Sequence, residues 1–289
     1  MIPMLARTRL GLAACRTTLR SPVVLVPTMG ALHEGHRALL KRARQLAGSN
    51  GSLVVSVFVN PLQFGLGEDL DRYPRTLRDD LTVCASDGVD LVFAPAPEQM
   101  YPAEQMITVS SGPMGLLLEG ASRPGFFEGV LTVVLKLVNL VKPDIAVFGE
   151  KDAQQLAVVR RMVADLNLPV AIESVGIIRD PDGLAVSSRN RYLSAQERVT
   201  ALALQRALRA GLAAAGGGPA GVLAAAEAEL SLASKADPPL VTDYLALTDP
   251  ATFAEIGAGH SGAALLLVAA TVGKTRLIDN LLLIFGPEP

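Results

Sequence analysis

Two of the chain's three histidines, His33 and His36, stand three residues apart in the stretch Pro27-Thr28-Met29-Gly30-Ala31-Leu32-His33-Glu34-Gly35-His36. Imidazoles at this spacing share one face of a first helical turn and can aim at one ligand. The stretch is preceded by the apolar β-branched run Val23–Val26 and followed by a helical pattern from Arg37 to Ala43. It therefore reads as a strand-to-helix turn, where unpaired backbone N–H groups and the helix dipole attract an anion. Gly30 and Gly35 remove side chains where a phosphate needs close backbone approach. A single histidine at a helix start is most often a cap or a surface residue; the strand, the glycines and the second histidine together point to phosphate binding. A zinc pair fits less well, because the helical i,i+4 spacing is absent and no cysteine lies nearby.

Four other stretches carry usable chemistry. In Phe58-Val59-Asn60-Pro61-Leu62-Gln63-Phe64-Gly65 the amides of Asn60 and Gln63 can bind hydroxyls or a carboxylate. In Phe148-Gly149-Glu150-Lys151-Asp152-Ala153-Gln154-Gln155 a strand ends at a glycine and a helix begins, with Asp152 as candidate cap and Lys151 as a point charge for a phosphate. Gln155 falls one turn beyond Lys151. In Ala185-Val186-Ser187-Ser188-Arg189-Asn190-Arg191 two small hydroxyls and a forked guanidinium suit phosphate oxygens. Arg123-Pro124-Gly125-Phe126-Phe127-Glu128-Gly129 opens a helix whose apolar face could wall a pocket, and Asp79-Asp80 either cap a helix or face a cation.

The elements that must position these residues follow from periodicity. Strand-like runs at Val23–Val26, Leu53–Val59, Asp90–Phe93, Ile145–Phe148 and Val170–Ser174 alternate with helix-like runs at Gly35–Ala47, Thr76–Asp87, Gly129–Val141 and Asp152–Leu166. Such alternation implies an α/β fold, a Rossmann-like parallel sheet with helices on both faces. Ligands then bind beyond the carboxyl ends of the strands, where the histidine turn, Asn60–Gly67 and Gly149–Asp152 should converge. After Arg191 the texture changes to alanine-rich helical patterns, Ala195–Ala215 and Ala220–Lys235, and then to strands at Thr242–Leu247, Ala264–Val272 and Leu277–Phe285. Two domains are expected, residues 1–176 and a smaller α+β C-terminal lid at 177–289.

Composition excludes several classes. With 26 Lys and Arg against 28 Asp and Glu, the net charge of −2 argues against general nucleic-acid binding. Half the residues are hydrophobic, yet the longest apolar runs, Val130–Val141 and Ala263–Val272, are too short to cross a bilayer. Arg7, Arg9 and Arg16 break up any signal-peptide core. Two cysteines make no disulfide framework. A cytoplasmic protein acting on small molecules is the expectation.

Taken in order, these motifs resemble the pantothenate synthetase family of the nucleotidylyltransferase superfamily, whose His-x-Gly-His signature is written here as His33-Glu34-Gly35-His36. Thr275-Arg276-Leu277-Ile278-Asp279-Asn280 fits the family's end. The resemblance implies ATP-dependent joining of pantoate to β-alanine through an acyl-adenylate, with Mg²⁺ accompanying ATP, in a homodimer. It assigns ATP to Met29, Gly30, Ala31, Leu32, His33, Glu34, Gly35 and His36, to Gly149, Glu150, Lys151 and Asp152, to Ile178, and to Val186, Ser187, Ser188 and Arg189. His33, His36, Lys151 and Arg189 would be catalytic. Gln63 and Gln155 would hold pantoate, and Gln63 would also approach β-alanine. His36, with an ordinary pKa near neutrality, is the expected proton donor. The chain departs from the family at Phe126, where His is common, at Ala153, where an aromatic is common, and at Val186, where Met is usual. The alternatives are a nucleotidyltransferase of the phosphopantetheine adenylyltransferase type, which leaves the nucleotide on its product, and a non-catalytic nucleotide-binding module. A tRNA synthetase is disfavoured by the absence of an evident anticodon-binding domain and of basic excess.

Overall fold

The computed structural model describes residues 2–65 and 67–286, so Leu66 of the Asn60–Gly67 stretch, together with Met1 and residues 287–289 of the expected domains, lies outside the described residues. The chain divides into two compact units: Met1–Glu150 with Gln154–Gly176, and Lys151–Ala153 with Ile177–Pro289.

The first unit runs β1 (Met4–Ala6), α1 (Arg9–Arg16), β2 (Val23–Thr28), α2 (Glu34–Ala47), β3 (Ser52–Val57), α3 (Leu77–Ser86), β4 (Leu91–Phe93), α4 (Pro97–Met100), α5 (Glu119–Ser122), α6 (Phe126–Val141), β5 (Ile145–Gly149), α7 (Ala153–Asp165) and β6 (Ala171–Val175). Its strands form one six-stranded sheet in the order β1-β4-β3-β2-β5-β6, with every pairing parallel. β2 is buried on both faces, which is why it is a continuous apolar run. Val24 and Val26 pack with Leu40 and Ala43 of α2, whereas Leu25 joins the core that contains Val130 and Val134 of α6. From β2 the chain steps to β3 and β4 on one side; β5 and β6 pair on the other. The order therefore reverses between β2 and β5, and the crevice outside their carboxyl ends is where such sheets bind ligands.

The second unit adds α8 (Ala195–Ala201), α9 (Ala203–Ala213), α10 (Gly218–Ala233), β7 (Leu240–Thr248), β8 (Gly262–Val272) and β9 (Thr275–Phe285). The three strands form an antiparallel sheet, β7-β8-β9. β8 and β9 join through a tight turn in which Gly273 adopts φ +59°, a left-handed conformation that glycine takes without strain. Leu204 and Leu208 of α9, Val222 and Leu230 of α10, and Leu266 and Val268 of β8 share its core.

Two differences from the sequence expectation stand out. The single helix expected over Ala195–Ala215 is two, broken at Leu202; alanine-rich sequence favours helix throughout and carries no signal for the break. The edge strand β1 and the helix α1 carried no expectation. Both are short, and α1 starts at a Thr8 cap whose Oγ1 accepts the Gly11 N–H.

Candidate active site

The histidine turn leaves β2 and enters α2 with its backbone donors already engaged. Gly30 N–H donates to Thr28 Oγ1 at 3.1 Å, and Ala31 N–H and Leu32 N–H donate to the two carboxylate oxygens of Asp80 at 3.2 and 2.8 Å. His33 is the N-cap of α2 and its Nδ1 accepts the Gly35 N–H at 3.2 Å, while His36 Nδ1 accepts the His33 N–H at 3.3 Å. This corrects the expectation that unpaired backbone N–H groups of the turn meet the anion, since five of them are held by the protein's own side chains. What the turn presents instead are imidazole edges. Because both Nδ1 atoms accept backbone hydrogen bonds, each neutral ring carries its proton on Nε2. The rings lie 4.0 Å apart between centroids, tilted by 38°.

Burial, and second to it the neighbouring His33, lowers the His36 pKa to about 3. Protonation would also turn Nδ1 from an acceptor into a donor facing a backbone N–H. Before ligand binds, His36 is therefore a neutral Nε2–H donor at physiological pH, and the expectation of an ordinary, near-neutral proton donor is corrected.

Gln63 sits beside this turn in a short 3₁₀ segment, Pro61–Gln63, that follows β3. Its Nε2 donates to Met29 Sδ at 3.3 Å and its Oε1 accepts from Asn60 Nδ2 at 3.0 Å. Asn60 is only 1% exposed, so it orients Gln63 from beneath. Its Oδ1 takes the Tyr101 hydroxyl at 2.8 Å and the Leu62 N–H at 3.3 Å, and Nδ2 also reaches the Gly129 carbonyl at 3.1 Å. Both hydrogens and both lone pairs of the amide are thus engaged. Arg123 steadies the same segment: it donates to the Gln63 carbonyl at 3.2 Å, forks onto Glu68 at 2.7 and 2.6 Å, and lies 3.7 Å over the Phe126 ring. Phe126 is 8% exposed and belongs to the core.

After β5, Gly149 leads into a 3₁₀ turn, Glu150–Asp152, that precedes α7. Glu150 Oε1 accepts from Ser174 Oγ at 2.8 Å. Gln155 is half-buried in the first turn of α7. Its neighbour Gln154 is structural: its amide bonds the carbonyls of Met114 and Leu117 and the N–H of Glu119.

In the second unit, residues 178–186 form a hairpin. Val186 N–H donates to the Ile178 carbonyl at 2.9 Å, Arg179 bridges Ala185, and Gly183 turns at φ +99°. This places Ile178 against the Val186–Arg189 segment. Ser187 Oγ accepts the Arg189 N–H at 3.3 Å and starts the 3₁₀ turn Ser188–Tyr192. The late motif on β9 anchors these parts. Asp279, itself buried, accepts both arms of Arg179 at 2.6 and 2.9 Å, and Asn280 Nδ2 donates to the Lys151 carbonyl at 3.0 Å.

A family model described as pantoate–β-alanine ligase matches residues 4–282. The chain is 61% identical over 284 residues to pantothenate synthetase of Thermobifida fusca, covering 96% of this chain and 95% of that one. The chain belongs to the pantoate–β-alanine ligase family. It is an acid–amino-acid ligase that joins pantoate to β-alanine. It is also similar to the crystal structure of pantothenate synthetase from Thermus thermophilus, with TM-score 0.89, 48% identity, and coverage of 96% and 98% of the two chains. A ligase from Francisella tularensis, described as complexed with β,γ-ATP and β-alanine, matches with TM-score 0.79, 31% identity and 97% coverage of both chains.

The positioning residues Asp80, Asn60, Tyr101 and Arg123 were not legible as such in the ligase sequence. They act on backbone or on other side chains, and the contacts Asp80–Ala31, Tyr101–Asn60 and Arg123–Gln63 span 49, 41 and 60 residues. Asp79-Asp80 gave a signal whose direction the sequence left open.

Proposed function

We propose that the ligase proceeds in two displacements, with the residues above in stated roles. A pantoate carboxylate oxygen attacks the α-phosphorus of ATP and pyrophosphate leaves. The β-alanine amine then attacks the acyl carbon, AMP leaves, and the nitrogen sheds its proton. The carboxylate is already ionised, so the first step needs positioning and charge stabilisation more than a base.

On the first unit we assign phosphate contacts to the Nε2–H groups of His33 and His36. Pantoate goes to Gln63 and Gln155, and Gly149 and Glu150 flank the nucleotide. With Gln63 Oε1 engaged by Asn60, its Nε2 is the arm suited to a carboxylate or hydroxyl oxygen; we assign β-alanine's carboxylate, rather than its nitrogen, to the same arm. On the second unit we assign Lys151, Ser187, Ser188 and Arg189 to phosphate oxygens and Ile178 to adenine, and residues 177–289 keep the expected role of lid. Excluding water protects the acyl-adenylate.

Among the described residues no group of three or more His, Cys, Asp or Glu side chains could hold a metal. Mg²⁺ is assigned to the triphosphate, where it would neutralise phosphate charge. A homodimer and a cytoplasmic location complete the reading, and no helix among the described residues is long and apolar enough to cross a membrane.

The observation that carries the assignment is the pair of imidazoles fixed as Nε2–H donors beside Gln63. The test is exchange of labelled pyrophosphate into ATP with pantoate and Mg²⁺ present and β-alanine absent. Exchange is expected, and adding β-alanine should release AMP with no nucleotide retained on the product. ATP binding without exchange would refute the adenylate route, and a product that retains the nucleotide would favour the nucleotidyltransferase reading.

A further inference from the structure

Asp80 lies in the first turn of α3 and is 2% exposed. Its Oδ1 accepts the Leu32 N–H at 2.8 Å, and its Oδ2 accepts the Ala31 N–H at 3.2 Å and the Thr76 hydroxyl at 3.3 Å. Gly30 and Ala31 both have positive φ, +82° and +50°. After this left-handed pair the successive N–H groups of Ala31 and Leu32 converge on the one carboxylate, as they would in a backbone nest for an anion. A Cβ at Gly30 would come within 2.9 Å of Asp80 Oδ2 and of Val57 Cγ1, so the carboxylate seats only because that side chain is missing. The nest is thus filled from within, one residue before the N-cap His33.

We propose that Asp80 is a positioning residue for the nucleotide: its carboxylate fills the Ala31-Leu32 nest and thereby fixes the turn that aims the Nε2–H groups of His33 and His36. The inference rests on the reading of those imidazoles as ATP ligands. Its sign is diagnostic. A buried negative charge close to a triphosphate weakens binding by Coulomb repulsion alone, so removing it should tighten ATP binding. If the carboxylate holds the turn, removing it must weaken binding instead.

Asp80→Asn keeps the shape, but its amide can accept at one oxygen only and sets an NH₂ group against the other backbone N–H. Thr76→Val keeps the carboxylate and removes one donor to it. For Asp80→Asn, Kd for ATP measured calorimetrically, without and with Mg²⁺, should rise about 10- to 100-fold, the scale of losing a charged buried acceptor. Thr76→Val should shift it about 2- to 5-fold the same way. KM for pantoate should move less than about 2-fold, since Gln63 is held through Asn60 and not through Asp80. With only three histidines in the chain, the ring ¹⁵N and ¹³Cδ2 resonances are separable. Those of His33 and His36 should move in ligand-free Asp80→Asn, and those of His260 should not.

ATP bound as tightly or more tightly by folded Asp80→Asn, with unmoved histidine resonances, overturns the inference. So does a defect cured by raising Mg²⁺, which would put the carboxylate on the metal. If Asp80→Asn does not fold, Thr76→Val decides, and unchanged affinity and resonances there overturn the inference as well. A wild-type chain that neither binds ATP nor exchanges pyrophosphate would instead remove the functional reading itself.

Discussion

His36 carries one task seen in the structure and one proposed, on two different nitrogens, and two substitutions separate them. Nδ1 accepts the His33 N–H at 3.3 Å and so caps α2, while Nε2–H is the proposed phosphate donor. An Asn side chain places an acceptor where Nδ1 stood and leaves nothing at Nε2. A Gln side chain reaches to Nε2 with an N–H and leaves Nδ1 empty. His36→Asn should therefore keep the cap and lose the donor, slowing pantoate-dependent pyrophosphate exchange about 10²- to 10³-fold, the usual result of deleting one preorganised donor. His36→Gln should lose the cap, about 1 kcal/mol, which for a unit of this size lowers Tm by about 2–4 °C. Its exchange rate should remain well above that of the Asn variant. Exchange is assayed at saturating pantoate without β-alanine, and unfolding by circular dichroism. The division of labour fails if His36→Asn exchanges within about threefold of wild type, or if the two variants are equally slow.

The same ring sets a pH dependence: an unfolded histidine binds a proton below about 6.5 and the folded one only near 3, so the unfolded state holds more protons in that window and stability falls as pH drops through it. Tm of wild type should decline from pH 6.5 downward more steeply than that of His36→Asn, and equal slopes would remove His36 as the cause. Phe126→His replaces a core ring under the Arg123 guanidinium and should cost about 2–4 kcal/mol, from lost burial and lost cation–π contact, seen as a lower urea midpoint; a KM change at unaltered stability would show that Phe126 lines a substrate pocket instead. Asp279→Asn leaves Arg179 without its carboxylate at a buried site and should cost about 3–5 kcal/mol, read as earlier thermal unfolding; a loss under about 1 kcal/mol would show that the pair does not anchor the hairpin.

Much of the fold was legible because the signals were local. β2 alternates between two buried faces, so Val23–Val26 had to be apolar throughout, and α2 announced itself by helical periodicity. The Rossmann-like sheet and the smaller antiparallel one follow from such runs. β1 was invisible because three residues at a sheet edge, two of them exposed, make no pattern. The site divided in the same way. Spacing singled out His33 and His36, and the structure puts Gln63 beside Met29, and Ile178 against Val186. Spacing could not reveal that the Ala31 and Leu32 N–H groups were spoken for, because their acceptor, Asp80, lies 49 residues from Ala31 and reaches them only through tertiary packing. The cover that Arg123 lays over Phe126 was hidden as well, since spacing along the chain does not show a guanidinium stacked on a ring.

The internal satisfaction of that turn bears on how the chemistry can be driven. Backbone N–H groups aimed at the phosphates would have fixed partial charge and a fixed direction. A histidine suppressed to a pKa of about 3 in the ligand-free protein behaves differently, because negative charge arriving at its Nε2 raises its proton affinity. On the proposed reading its hydrogen bond would strengthen as charge gathers on the leaving phosphates. With the Ala31 and Leu32 donors held by Asp80 and those of Gly30, His33 and Gly35 by Thr28, His36 and His33, the proposed phosphate contact falls to the imidazoles, and the carboxylate that fills the nest becomes part of how they are placed.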